Sequence, residues 1–143
     1  MTIWSTPPDL DALNALGEGN MNGGLGIRIV EVGDDFLRAK MPVDSRTRQP
    51  YGILHGGASV ALAETVGSIA AMCCIDQDKH VVYGLDINAN HIRAVPGGVV
   101  VATARAVHLG RSTHVWAITI EDEEGRVACV SRLTMAVVAR AGR

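Results

Sequence analysis

Aromatic residues are almost missing from this chain. Two Trp, two Tyr and one Phe stand among 143 residues, while hydrophobic residues make up 48%. The core must therefore be built from Val, Ile, Leu and Ala. Cysteine is also scarce. Cys73, Cys74 and Cys129 are odd in number and two are adjacent, which fits no disulfide framework and gives no zinc-knuckle or redox-dithiol spacing. Buried, reduced thiols are expected. An excess of one charge is absent too. Thirteen Lys and Arg are set against 15 Asp and Glu, and the basic residues are scattered, so no basic stripe exists and nucleic acid is excluded as a partner. The start, "MTIWSTPPDLDALNALG", lacks the basic and apolar regions of a secretory signal, and a cytoplasmic location is expected. The five histidines never fall at helical metal-ligand spacing. His108 and His114 can face each other across a hairpin but have no Cys or carboxylate beside them, so no metal site is expected. There is no G-x-S-x-G elbow, and "GEGNMNGG" is not G-x-G-x-x-G and follows a helix rather than a strand, so it is set aside as a phosphate loop.

What is present suits one domain spanning residues 1–143, long enough to bury roughly two thirds of its unfolded surface. "DLDALNALGEG" is predicted to be a short helix capped by Asp9 and ended in the Gly17–Gly19 region. "GIRIVEVGDDFLRAKMPV" reads as a hairpin about Gly33-Asp34-Asp35. From Val81 onward four strands are predicted, separated by turns at Pro96-Gly97-Gly98, Gly110-Arg111 and Glu123-Glu124-Gly125. In the last of them Val127, Cys129, Leu133, Met135 and Val137 fall on one face, and Arg126, Arg132 and Thr134 on the other. The order is helix, two strands, long helix, four strands. This predicts an α+β fold with an antiparallel sheet packed on one long helix.

That helix lies in "ILHGGASVALAETVGSIAAMCCI", whose one carboxylate is Glu64. The segment is long enough to span a bilayer, but Glu64 near its centre, three glycines and the preponderance of Ala and Ser over Leu and Phe argue against a span. Its small residues, Ala58, Ala61, Ala63, Gly67, Ala70 and Ala71, suit close contact with a curved sheet. A helix apolar all round is expected to be covered all round. One sheet covers one side, so a second subunit is expected on the other.

A lone carboxylate in such a segment is costly unless something uses it or pairs with it. An Arg of the sheet, or a polar group across an interface, would account for Glu64 without chemistry. A capping or core role would account for His55, and plain helix packing for Ser68. A catalytic reading starts from the loop that enters the helix, which Gln49 and His55 flank, with Gly56-Gly57 at the predicted first turn. A helix start presents unpaired N–H groups and partial positive charge, and glycine admits a ligand without a Cβ in the way. Such a site suits a carbonyl oxygen gaining charge. Glu64 lies eight residues on, roughly 12 Å along a helix, too far to act on a carbonyl held at its own chain's Gly56. If both act on one bond, they come from two chains whose helices run antiparallel across a two-fold axis.

"MPVDSRTRQPYGILHGGASVALAE", with "GLDINANHIR" and "HLGRSTHVW", resembles the hotdog-fold acyl-CoA thioesterases of the PaaI type. It is most similar to the bacterial subgroup acting on 1,4-dihydroxy-2-naphthoyl-CoA and related aryl thioesters, which includes the proofreading thioesterases of enterobactin synthesis. The resemblance implies an antiparallel sheet wrapped around one long central helix, and active sites at a homodimer interface with dimers paired into tetramers. It implies cofactor-free hydrolysis of acyl-CoA or acyl-carrier-protein thioesters, aryl ones in particular, as the reaction. It makes Glu64 the nucleophile or general base, sets the Gly56 amide on the thioester carbonyl, has Gln49 and His55 orient that end from the partner chain, and puts the Ser68 hydroxyl near the attacking water or the Glu. His91 and Arg93 fall near the CoA arm, and the Gly110-Arg111-Ser112 turn near its phosphates. Tyr51 stands where Phe is expected, leaving the acyl preference open. Acyl-thioester hydratases and dehydratases of the same fold, and a non-catalytic acyl-CoA-binding module, are the alternatives; the first lack of support is the absence of their paired-proline segment, and the second has no use for a carboxylate beside an electrophile.

Overall fold

The computed structural model describes residues 1–142. Asp9 caps α1 (Leu10–Ala15) as expected, its carboxylate accepting the Ala12 amide at 2.8 Å. A second, very short helix follows, α2 (Met21–Gly24), inside the glycine-rich stretch. Asn20 caps it by accepting from the Asn22 amide. Strands β1 (Arg28–Val32) and β2 (Phe36–Pro42) form the predicted hairpin. The long helix, α3, runs Gly56–Cys73, and β3 (His80–His91), β4 (Val99–Leu109), β5 (Thr113–Glu121) and β6 (Val127–Ala139) complete the chain.

The six strands make one antiparallel sheet in the order β1-β2-β4-β5-β6-β3. It curls around α3, the hotdog arrangement. Alternation along each strand sends Leu37, Ala39 and Met41 of β2, Val100, Ala102 and Ala104 of β4, and Trp116, Ile118 and Ile120 of β5 inward. Against them α3 buries Leu62, Ala63, Val66, Ala70 and Ala71 completely; each of the larger side chains is worth roughly 1.5–3 kcal/mol of transfer free energy. At Gly67 the approach is closest, since a Cβ there would stand 2.6 Å from Leu133 Cδ2. The helix is long and apolar enough to cross a bilayer, yet here its apolar face is taken up by the sheet. Val60, Ala61, Glu64, Thr65 and Ser68 are only half-buried, so one flank of α3 stays open in the single chain.

One expectation for β6 is corrected. Val127 is 36% exposed, and Ala128 is buried beside Cys129. The register slips between Ile120 and Glu121, so that Ile120 faces Cys129 and Glu121 faces Val127. This bulge breaks strict alternation at the start of the strand; from Leu133 and Met135 onward the expected face is restored.

His114 is the most deeply buried histidine, 3% exposed, and its Nδ1 has no hydrogen-bond partner among the described residues. Burial, with His108 nearby, pushes its pKa below the ordinary histidine value. The native state therefore binds fewer protons than the unfolded chain once pH drops below about 6.5, and stability present above that value is lost as pH falls. Thermal unfolding between pH 7.5 and 5 should show this loss, at most about 1.4 kcal/mol per pH unit from one group. His114→Leu should flatten that part of the profile. An unchanged slope in the variant would assign the acid sensitivity elsewhere.

Candidate active site

The start of α3 is held by a well-ordered loop. Thr47, 1% exposed, donates from Oγ1 to the Pro42 carbonyl at 2.8 Å and receives the Asp44 amide. Arg46 closes on Asp44 at 2.8 Å, and its side chain and amide hold the Asp44 carboxyl down at about 2. The His55 amide bonds to Thr47 O at 2.7 Å, and Arg48 and Leu54 form a bridge. This framework delivers Gln49, Tyr51 and His55 together. His55 is the N-cap of α3, its Nδ1 accepting the Gly57 amide at 2.8 Å, so the neutral ring carries its proton on Nε2. The capping role raised for His55 is thus realised. The Gln49 carbonyl oxygen accepts the Tyr51 amide, and the Tyr51 side chain stands 91% exposed.

The Gly56 amide has no acceptor among the described residues, as the first position of a helix requires. The His91 imidazole packs directly over Gly56. A Cβ there would meet Nε2 at 2.9 Å and Cε1 at 3.1 Å. Gly56, Gln49, Ser59, His91 and Arg93 line one cavity of about 280 Å³ at the head of the helix.

Glu64 lines a different one. On another face of α3, Glu64, Thr65, Val60 and Ala61 meet Asn22, Leu25 and Ile27 around about 350 Å³ of largely apolar space. The Glu64 carboxylate lies over β3 at Gly84, where a Cβ would sit 3.2 Å from Oε1 and 3.4 Å from Oε2. The strand bulges at that point, its register shifting between Gly84 and Asp86. The pairing with an Arg of the sheet does not occur, because among the described residues no Arg and no hydrogen-bonding side chain of the same chain reaches Glu64. It is half-buried rather than buried. The Ser68 hydroxyl, one turn further, points to Met135 Sδ at 3.6 Å.

Within one chain, then, the structure joins Gln49, Gly56, His91 and Arg93, and leaves Glu64 outside that group. It also separates the Gly110-Arg111-Ser112 turn from them. His91 faces Cys129, which pairs through Ile120 with Ala102 of β4, and eight steps of roughly 3.3 Å put Gly110 about 26 Å from that level. Arg93, Arg111 and Ser112 are exposed. Sequence reasoning missed Asn22, Thr65 and Gly84, which surround Glu64. Their one signal was the capped Asn20-Met21-Asn22 run, overshadowed by its glycines. Cys73 and Cys74 belong to no cavity with these groups; burial pushes their thiols up to about 11 and about 12, and both are free.

The sequence of residues 51–129 matches the family model described as the thioesterase superfamily. Over 136 residues the chain is 54% identical to 1,4-dihydroxy-2-naphthoyl-CoA hydrolase of Escherichia coli, covering 95% of this chain and 99% of that one. It is 49% identical over 136 residues to the proofreading thioesterase EntH of Cronobacter turicensis, covering 95% and 98%. The crystal structure of a mutant thioesterase from Pseudomonas aeruginosa superposes with a TM-score of 0.96 at 50% identity, covering 97% of this chain and all of that one.

Proposed function

The chain belongs to the thioesterase superfamily and is a thioesterase, and from that premise we propose that it hydrolyses aryl-CoA thioesters in the cytoplasm at a site shared by two subunits. The observation that carries this reading is the division of the machinery between two cavities on different faces of α3, with Gly56 at one and Glu64 at the other. One carbonyl cannot be served by both on the same chain. A partner with its helix antiparallel sets its Glu64 cavity against this chain's Gly56 and creates two equivalent sites per dimer. The same operation carries the partner's far sheet end, with its Gly110-Arg111-Ser112 turn, toward the Gly56 end, where His91 and Arg93 lie.

Support for such a dimer comes from β3. It is a sheet edge twelve residues long, with Tyr83 and Leu85 60% and 64% exposed. A long bare edge with apolar side chains calls for a covering partner. Pairing of two such dimers into a tetramer is part of the proposal.

Mechanism follows from the groups. The thioester carbonyl accepts from the Gly56 N–H, where the helix start favours the charge that develops on the oxygen. Gln49 and His55 orient that carbonyl end, His91 and Arg93 lie along the CoA arm, and Arg111 with Ser112 meets its phosphates. The same pantetheine arm on a carrier protein would satisfy the site equally. Tyr51 stands beside this entrance. Glu64 of the opposite subunit acts on the carbonyl carbon in one of two ways. It takes a proton from water as that water attacks, or it attacks directly to give a mixed anhydride that water then opens. In either case the C–S bond breaks, and the thiolate leaves and is protonated. Ser68, one turn from Glu64, is the hydroxyl available to the attacking water once its weak hold on Met135 sulfur is given up.

Steady-state release of free thiol from a panel of benzoyl-, phenylacetyl- and straight-chain CoA thioesters tests the reading. An aryl-CoA turned over with kcat/KM above about 10⁴ M⁻¹s⁻¹, and ahead of the straight-chain members, is the expected result. No release from any member, or hydration of an enoyl-CoA in its place, would overturn it.

A further inference from the structure

Resting on the reading of Glu64 as the group that acts on the thioester, we infer that Gly84 of β3 is a positioning residue: the space left by its missing side chain seats the Glu64 carboxylate. The backbone gives no reason for glycine at this place. The φ of Gly84 is not positive, so a residue with a Cβ could adopt the same conformation. Glycine inside a strand weakens it, through chain entropy and the want of a side chain to pack. What it supplies here is room. A Cβ built on Gly84 finds its three nearest neighbours in one side chain, with Glu64 Oε1 at 3.2 Å and Cδ and Oε2 at 3.4 Å. Contacts that close would push the carboxylate aside by a few tenths of an ångström. Within the chain no ion pair or hydrogen bond among the described residues holds it in place. Its seat is the bare strand.

The bulge beside Gly84 ties this seat to the other end of the site. Gly84 pairs with Met135 and Asp86 with Thr134, so Leu85 is an extra residue in β3, and its side chain is 64% exposed. Val82 and Gly84 face α3 before the bulge. After it, Ile87 and Ala89 pack against the core and His91 lies over Gly56. Without the extra residue the period of two would run on through Asp86, Asn88 and Asn90, and His91 would turn away from the helix. One inserted residue thus lets a bare backbone meet Glu64 and an imidazole meet Gly56 on the same face of one strand. Misplacing a reacting group by about 1 Å costs on the order of 10²-fold. Ala at position 84 demands less than that and should lower kcat roughly 3- to 10-fold. Val, whose γ carbons reach further into the place of the carboxylate, should lower it roughly 10²-fold.

The test is a double-mutant cycle. Values of kcat, KM and the thermal midpoint are measured for wild type, Gly84→Ala, Gly84→Val, Glu64→Gln and the two combinations with Glu64→Gln. The substrate is the member of the CoA panel that wild type turns over fastest. The expected result is a fall in kcat from Gly to Ala to Val with KM little changed, while the midpoint of Gly84→Ala stays at or above that of wild type. In the Glu64→Gln background neither substitution should lower the residual kcat further, because the group they displace no longer acts. A structural defect would instead lower the midpoint and cost the same factor in both backgrounds. Wild-type kcat in the Gly84 variants, or equal losses with and without the Glu64 carboxylate, overturns the inference. If Val prevents folding, the two Ala chains decide it alone. Should Glu64→Gln be inactive while the Gly84 variants match wild type, only this inference falls. If Glu64→Gln matches wild type, or wild type cleaves no member of the panel, the role of Glu64 falls and takes this with it.

Discussion

Glu64→Gln should lower kcat by roughly a thousand-fold, within the 10²–10⁴ range ordinary for a positioned acid–base group, with the fold intact. The substitution keeps shape and removes the negative charge. The surroundings offer nothing to replace it. Val60, Ala61, Leu25 and Ile27 are apolar, and no other carboxylate lines the cavity. Nor should the protein pay for the change in stability. Glu64 makes no ion pair or hydrogen bond within the chain among the described residues, so no buried partner is orphaned. The thermal midpoint should move little while turnover collapses. Glu64→Asp, which withdraws the carboxylate by one methylene toward the helix, should fall between the two. Activity near wild type in the Gln variant would return Glu64 to a structural role.

Gly56→Val should cost a comparable amount by a different route, roughly 10²–10³ in kcat, the worth of one oxyanion donor. The added Cβ would stand 2.9 Å from His91 Nε2, so the imidazole must leave the head of the helix. The branched side chain then fills the space through which a carbonyl oxygen reaches the amide. Because Gly56 is at the first helical position and only half-buried, the loss should appear in turnover much more than in unfolding. Gly56→Ala should show a smaller loss of the same kind. A Val variant with wild-type kcat would mean that no reacting group approaches this amide.

Much of the scaffold could be read before any coordinates because it rests on local rules. Asp9 before Leu10 caps a helix, Gly33-Asp34-Asp35 turns a hairpin, and alternation from Leu133 marks an inward face, each within a few residues. Where the reading failed, the cause was an interaction between distant segments or a break in period. Val127 falls on the wrong side because β6 bulges by one residue at Ala128, opposite the Ile120–Glu121 step of β5. The glycine-rich run gave no sign of α2, because four residues cannot hold a helix alone and α2 is packed at the pocket beside α3. Asn22 was invisible for the same reason: its meaning lies in Thr65, 43 residues away. The separation of Gly56 from Glu64, by contrast, follows from helical rise alone and was legible at once. The way Glu64 is lodged over Gly84 was not, since it depends on a bulge in β3.

That separation leads to the most direct measurement. Glu64→Gln and Gly56→Val chains, each nearly inactive alone, are co-expressed in equal amounts with different tags, and the doubly tagged species is assayed beside each parent. In a mixed dimer one site draws Gly56 from the first chain and Glu64 from the second, and so is intact, while the other site carries both defects. Random pairing should therefore restore about a quarter of wild-type activity to the whole mixture, and about half to the purified mixed dimer. A mixed dimer no more active than its parents would show that both groups act from one chain, and would contradict the shared site.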